Sequence, residues 1–269
     1  MWVTVLLPAL LFITAVFLWP VVTMLTRSVT EPPGGLGNFA QLNSPGLLRI
    51  LLRTVGVAGI VTVISLAVAY PFAYLTATTG PRARRVLLGV AAASLFVSIV
   101  VRGYGWLTIL DRNGVVNTAL GAVGLERYST TLVHNFAGVL IGMVQYGIPF
   151  MVFPLYDVMR RVDPRLLRAA ATLGASPRRA FWRVYVPLTF PGVTAGSTVV
   201  FIAALGYYIL PAILGGPQNT MIGEFIANQF LSTADFGLGA ASAALLLAVA
   251  VLTFLALQAL GRAVVRGRR

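Results

Sequence analysis

Apolar residues along this chain fall in long unbroken blocks, not in the alternation of a half-buried strand or the narrow stripe of a surface helix. Six blocks stand out, at about residues 2–25, 50–78, 86–110, 132–156, 188–214 and 237–261. Each reaches the ~20 residues that a helix needs to cross about 30 Å of hydrocarbon. A helix satisfies its backbone N–H and C=O groups within one segment, so such blocks are stable in lipid as helices. The pattern predicts an all-α, polytopic membrane protein with about six transmembrane helices, read as one integral unit over residues 1–269. Six crossings put both termini on the same side. Residues 1–24 carry neither a basic leading region nor a small-residue cleavage site, so they read as a retained first span and not as a signal peptide.

The polar connections orient the spans. Every basic residue is arginine, and the formal net charge is +13. Fourteen of the 20 arginines lie in the connections at 79–85 and 157–187 and in the C-terminal tail; six lie on the opposite side, Arg127 among them. Basic residues resist translocation, which makes the arginine-rich side cytoplasmic, with both termini there. Arginines gathered mainly in short loops between spans also argue against nucleic acid as the partner. With no cysteine, disulfides, thiolate metal sites and a cysteine nucleophile are excluded. On the outer side, residues 26–48 read as an irregular loop around Pro32-Pro33-Gly34-Gly35. Asn113-Gly114 reads as a turn leading into a short re-entrant or surface helix that ends near Gly124.

The connection at 157–187 has its own helix signals. Asp163-Pro164 is a cap followed by proline at the first helical position. Leu166, Leu167, Ala169, Ala170 and Leu173 form a small apolar face, Gly174 stops the helix, and Ser176-Pro177 repeats the start. A second short helix then presents Phe181, Trp182 and Tyr185 and ends near Pro187. Helix, glycine corner, helix suits docking to a soluble partner: alanines allow close approach and aromatics supply broad anchors. The alternative is a basic amphipathic loop resting on lipid headgroups.

This loop resembles that of the permease subunits of binding-protein-dependent ABC importers. Their pattern is Glu-Ala-Ala, three residues, Gly, nine residues, Ile, one residue, Leu-Pro. Here the same spacing reads Arg168-Ala169-Ala170, Gly174, Val184 and Val186-Pro187. Arg168 stands where the family has glutamate, which inverts the charge at that position. Further stretches look like the spermidine/putrescine-type branch, over roughly residues 55–255. They are Val101-Arg102-Gly-Tyr-Gly-Trp106, Gly114-Val-Val-Asn117, Ile148-Pro-Phe150, Phe201-Ile-Ala-Ala-Leu-Gly206 and Pro211-Ala-Ile-Leu-Gly215-Gly. Ferric-ion, thiamine, phosphonate and sulfate importers have similar permeases. The resemblance implies a bacterial inner-membrane subunit that is not itself an enzyme. Its implied partners are two ATP-binding cassette subunits, a second related permease, and a periplasmic or lipid-anchored solute-binding protein, with ATP and Mg on the cassette subunits. It further implies that Arg168, Ala169, Ala170, Leu173, Gly174, Ala175, Phe181 and Pro187 couple this chain to its ATPase.

Candidate pathway residues are few. Arg102 lies about 16 residues into the third block, near the outer hydrocarbon edge at about 1.5 Å per residue. It is either a buried functional charge or a snorkelling one. Tyr104 and Trp106 beside it line a pathway or belong to an interfacial aromatic belt. Tyr207 and Tyr208 either offer aromatic faces to an ammonium or pack against helices. Glu224 and Asp235, the charges of the last outer connection, either attract a cationic substrate or are solvated. His134 stands alone, which makes no metal site. Pro71, Pro149 and Pro154 fall within spans and are candidate kinks. The chain has no G-x-x-x-x-G-K-[ST] phosphate loop, which leaves nucleotide to another polypeptide. A self-contained secondary transporter is disfavoured by the lack of intramembrane acidic or histidine relays. An intramembrane enzyme is disfavoured by the lack of H-E-x-x-H, G-x-S-x-G or paired carboxylates.

Overall fold

The computed structural model describes residues 2–122 and 132–266, and these are helical with short connections. Arg127, Gly124 and the last arginines of the tail lie outside the described residues. In chain order the helices are α1 (Trp2–Thr30), α2 (Gly37–Gln41), α3 (Pro45–Thr78), α4 (Pro81–Phe96), α5 (Ile99–Leu110), α6 (Val115–Ala122), α7 (Phe136–Met159), α8 (Pro164–Thr172), α9 (Pro177–Ala180), α10 (Val186–Leu205), α11 (Ile209–Leu214), α12 (Ile222–Asn228) and α13 (Phe236–Arg266). Among the described residues, five helices are long and apolar enough to cross a membrane, and a sixth span arises if a bent pair is counted as one.

That bent pair corrects the third block. The apolar run at 86–110 is two helices, α4 and α5, and α4 is bent by 98° from the segment Ile99–Ala119 that α5 opens. Val97 and Ser98 between them are extended, with ψ of 122° and 135°. The fifth block is corrected as well: α10 stops at Leu205, and α11 is a separate short helix ended by Gly215. Gly206 closes α10, and Pro211 falls inside α11. The predicted outer loop at 26–48 is shorter than expected. α1 continues to Thr30, α2 occupies part of the connection, and α3 begins at Pro45 with the Ser44 side chain accepting from the Leu47 amide. The α3 and α7 helices run on through Pro71, Pro149 and Pro154.

The core forms where α3, α7 and α10 cross. Val57, Val61, Met143, Met151, Leu155 and Val200 are buried there. Lipid removes the hydrophobic drive between helices, so close backbone approach and polar contacts hold them instead. Glycines supply the approach. A Cβ at Gly147 would sit 2.9 Å from Ser65 Oγ, and one at Gly196 would sit 2.7 Å from Met151 Sδ. Hydroxyls supply the polar contacts: Tyr70 Oη and Thr189 Oγ1 are 2.9 Å apart across α3 and α10. By contrast α1 packs chiefly on α13 and leaves Phe12, Phe17 and Trp19 exposed, a face suited to lipid.

Candidate coupling loop and pathway residues

The loop after α7 forms from local signals. Asp163 Oδ1 accepts from the Arg165 amide at 2.8 Å and starts α8, with Pro164 in its first turn. The helix ends in a six-residue reverse turn. The Gly174 amide donates to Ala171 O (2.9 Å) and the Ala175 amide to Ala170 O (3.0 Å). This closure places Gly174 at φ +83°, a conformation that costs glycine little. Ser176 Oγ then accepts from the Arg179 amide and starts α9.

The second helix does not end at Pro187 as its sequence predicts. It widens into a π turn over Phe181–Tyr185 and continues directly as α10. Pro187 has no N–H to close the ordinary bond to residue 183, and the wider turn accommodates that gap. The loop is thus joined to a spanning helix without a flexible linker. Arg168 and Ala169 are exposed, Leu173 is 88% exposed, and Trp182 is 67% exposed. Phe181 and Tyr185 turn the other way. The Phe181 ring meets Tyr74 edge-on at 5.5 Å and stacks on Tyr185 at 5.6 Å, while Tyr74 also meets Tyr185 at 5.2 Å. The cluster fixes the root of the loop to α3. Tyr70 and Tyr74 escaped sequence reasoning, although an i, i+4 aromatic pair near the end of a span was a visible signal.

Arg102 is 6% exposed and sits in α5, four residues beyond the break. Its Nη1 donates to Gln145 Oε1 of α7 at 2.5 Å, and its Nη2 donates to the Ser94 carbonyl at the end of α4. That carbonyl is one of those a helix C-terminus leaves without an intrahelical partner. The guanidinium also lies 5.3 Å from the centroid of Tyr146, whose ring meets Tyr207 edge-on at 5.1 Å. Arg102 thus braces the 98° corner and ties it to α7, in place of snorkelling. Gln145 and Ser94 were missed; a lone glutamine within an apolar run was the available signal.

The other candidates separate. Tyr104 is exposed, whereas Trp106 is partly buried and lines an apolar cavity of about 460 Å³ with Ile64, Leu140, Val144 and Gln145. Tyr207 is buried against Tyr146, while its neighbour Tyr208 is 41% exposed and lines a different, polar cleft with Glu224. Asp235 does not line that cleft. Its Oδ1 accepts from the Leu238 amide at 3.0 Å, as a cap at the start of α13. Burial raises the Glu224 carboxyl above the usual carboxylate range, partly offset by a hydrogen bond from the Met221 backbone. His134 Nδ1 lies 3.3 Å from Gly215 O.

The family described as binding-protein-dependent transport system inner membrane component matches residues 69–266. This chain belongs to that family. It is a permease subunit of an ABC importer, a multi-pass inner-membrane protein. Similar proteins include the spermidine/putrescine transport system permease protein PotB of Haemophilus influenzae, 32% identical over 82% of this chain and 78% of that one. PotB of Escherichia coli K12 is 34% identical over 77% of this chain and 75% of its own length. Among solved structures, a chain of a bacterial alginate ABC transporter, crystallised with an alginate pentasaccharide-bound periplasmic protein, superposes with a TM-score of 0.77 at 19% identity. It covers 97% of this chain and 93% of that one. At that identity the likeness concerns the fold.

Proposed function

We propose that this permease forms half of the path for a polyamine of the spermidine/putrescine class and is driven by ATPase subunits that grip the loop around Gly174. The observation that carries the substrate reading is the 32% identity to a spermidine/putrescine permease across most of both chains. The loop supports the coupling reading: Arg168, Ala169, Ala170, Leu173 and Ala175 flank a hydrogen-bonded glycine corner, and Trp182 of the following turn is exposed. Two ATP-binding cassette subunits hold ATP and Mg and hydrolyse the nucleotide. A second related permease completes the path, and a periplasmic or lipid-anchored binding protein delivers the solute. Both termini and the α8–α9 loop face the cytoplasm.

Motion of the cassette subunits reaches the spans through Phe181, which carries it into α3, and through the unbroken passage from α9 to α10. The test is uptake of radiolabelled spermidine by cells that lack other polyamine transport and express this permease with its genomic neighbours. Saturable uptake, competed by putrescine and not by ferric ion, thiamine, phosphonate or sulfate, is expected. Saturable uptake competed only by one of the latter would overturn the substrate reading and leave the coupling reading standing.

A further inference from the structure

The connection between α10 and α13 encloses a cleft of about 260 Å³ that the coupling loop does not touch. Tyr208, Thr220, Glu224, Phe225, Asn228 and Ser232 are among the residues that line it. The volume falls below the ~300–1,000 Å³ of a site for a whole drug-sized ligand. It suits one end of a thin, flexible solute.

The chemistry of the wall is selective. It offers one carboxylate, two aromatic rings (one of them a phenol), an amide and two aliphatic hydroxyls. Both ion pairs among the described residues belong to Asp157, so no basic side chain neutralises Glu224. The arginine that reaches this connection, Arg53, donates instead to the Thr220 carbonyl at 3.4 Å. Glu224 accepts from the Met221 backbone, which uses one of the carboxylate's roughly four acceptor positions. A primary ammonium brings three donors and a compact charge. The carboxylate, the Asn228 amide oxygen and the Ser232 hydroxyl accept such donors, and aromatic faces attract the charge. Asp235 is already engaged as a helix cap.

We propose that this cleft is a subsite for one terminal ammonium group of the solute, with Glu224 as its counter-ion and Tyr208 and Phe225 as its aromatic walls. The proposal rests on the polyamine reading above. It separates two acidic residues that the sequence places together: Glu224 meets substrate and Asp235 holds α13.

The test compares initial rates of labelled spermidine uptake in cells expressing the complete transporter, with one binding protein throughout and rates scaled to permease in the membrane. Glu224→Gln keeps the shape and the backbone contact but removes the charge. Loss of one charged hydrogen-bonded contact corresponds to a rise in KM of about tenfold or more. Glu224→Asp should restore most of the loss, and Asp235→Asn, which still caps, should leave KM unchanged. Competition by N-acetylspermidine adds a readout that a purely structural role would not move. The wild type should discriminate against the acetylated end, and Glu224→Gln should discriminate several-fold less. Should Glu224→Gln fail to accumulate, Tyr208→Ala alters an exposed part of the wall and should also raise KM. An unchanged KM and unchanged discrimination in either variant overturn the subsite and leave polyamine transport intact. Absence of spermidine uptake by the wild type overturns both.

Discussion

Gly174 offers a quantitative test of the coupling loop, because backbone strain and side-chain clash can be separated there. The residue sits at φ +83°, yet a Cβ built on it meets nothing within 4 Å. Within this chain, then, a substitution costs energy through the backbone alone. An L-residue in the left-handed region costs about 1–2 kcal/mol, and asparagine adopts that region more readily than other residues. The two reverse bonds, Gly174 to Ala171 and Ala175 to Ala170, hold the corner only in that conformation. If the docked loop requires the corner, Gly174→Ala weakens ATPase association by a factor of about 5–30, the population shift that 1–2 kcal/mol produces. Gly174→Asn should cost clearly less, while Gly174→Val, β-branched at positive φ, and Gly174→Trp should abolish association and uptake. The assay is the Kd of the purified ATPase for the permease in nanodiscs, paired with uptake and with permease level in the membrane. The order glycine, asparagine, alanine, valine follows from backbone strain. If alanine binds as well as glycine, or better than asparagine, the corner is not what the ATPase recognises and the reasoning fails.

Three further perturbations probe the frame that holds this machinery. Arg102→Met removes the donors to Gln145 Oε1 and the Ser94 carbonyl. Charged hydrogen bonds and newly orphaned acceptors together predict a loss of about 2–4 kcal/mol, read by thermal unfolding in detergent, and an unchanged Tm would dismiss the brace. Gly196→Val places a side chain where Met151 Sδ is 2.7 Å away. Overpacking predicts about 1–3 kcal/mol of destabilisation, with Gly196→Ala intermediate, and equal stability of all three would show that α7 and α10 are not in close contact. Thr54→Val keeps the shape but deprives the buried Ile222 amide of its acceptor at 2.9 Å. About 1–3 kcal/mol is expected, with faster hydrogen exchange at Ile222, and no change in exchange would contradict the bond.

The spans were legible because the constraint that makes them is local. A run of apolar residues long enough to cross lipid must be helical, whatever surrounds it. The glycine corner was legible for a related reason, since Asp163-Pro164, Gly174 and Ser176-Pro177 each act within one helical turn. The 98° bend was not, because Val97-Ser98 carries no glycine or proline and Ser94, a like residue nearby, stays helical. The bend depends on a guanidinium from the next turn that satisfies the open end of α4. The orientation of Phe181 was hidden likewise, being set by tyrosines more than 100 positions earlier. Two features were in view and missed. Gly206 after an apolar helical run is a stop signal, and Asp235 ahead of an apolar run is a cap signature. Glu224 and Asp235 look alike in sequence and differ only in what the fold puts beside them.

The distribution of rigid and broken backbone indicates where motion of the loop would be absorbed. From Pro177 to Leu205 the chain is one span, π turn included, so a push on the loop cannot be dissipated in a linker. Phe181 presses on α3, and Gly192 and Gly196 bring α10 against α7 with no spare volume. Packed glycine contacts resist sliding, so α3, α7 and α10 respond together. The backbone ladder is interrupted at Val97-Ser98 and at 206–208. The two breaks share one network: Arg102 lies beside the first, Tyr207 forms part of the second, and Tyr146 of α7 touches both. On the proposed coupling, displacement delivered to the bundle therefore reaches the interruption at 206–208, next to Tyr208 of the Glu224 cleft. A rigid lever that meets a break in the backbone ladder beside a charged subsite can change that subsite's exposure without unfolding any helix.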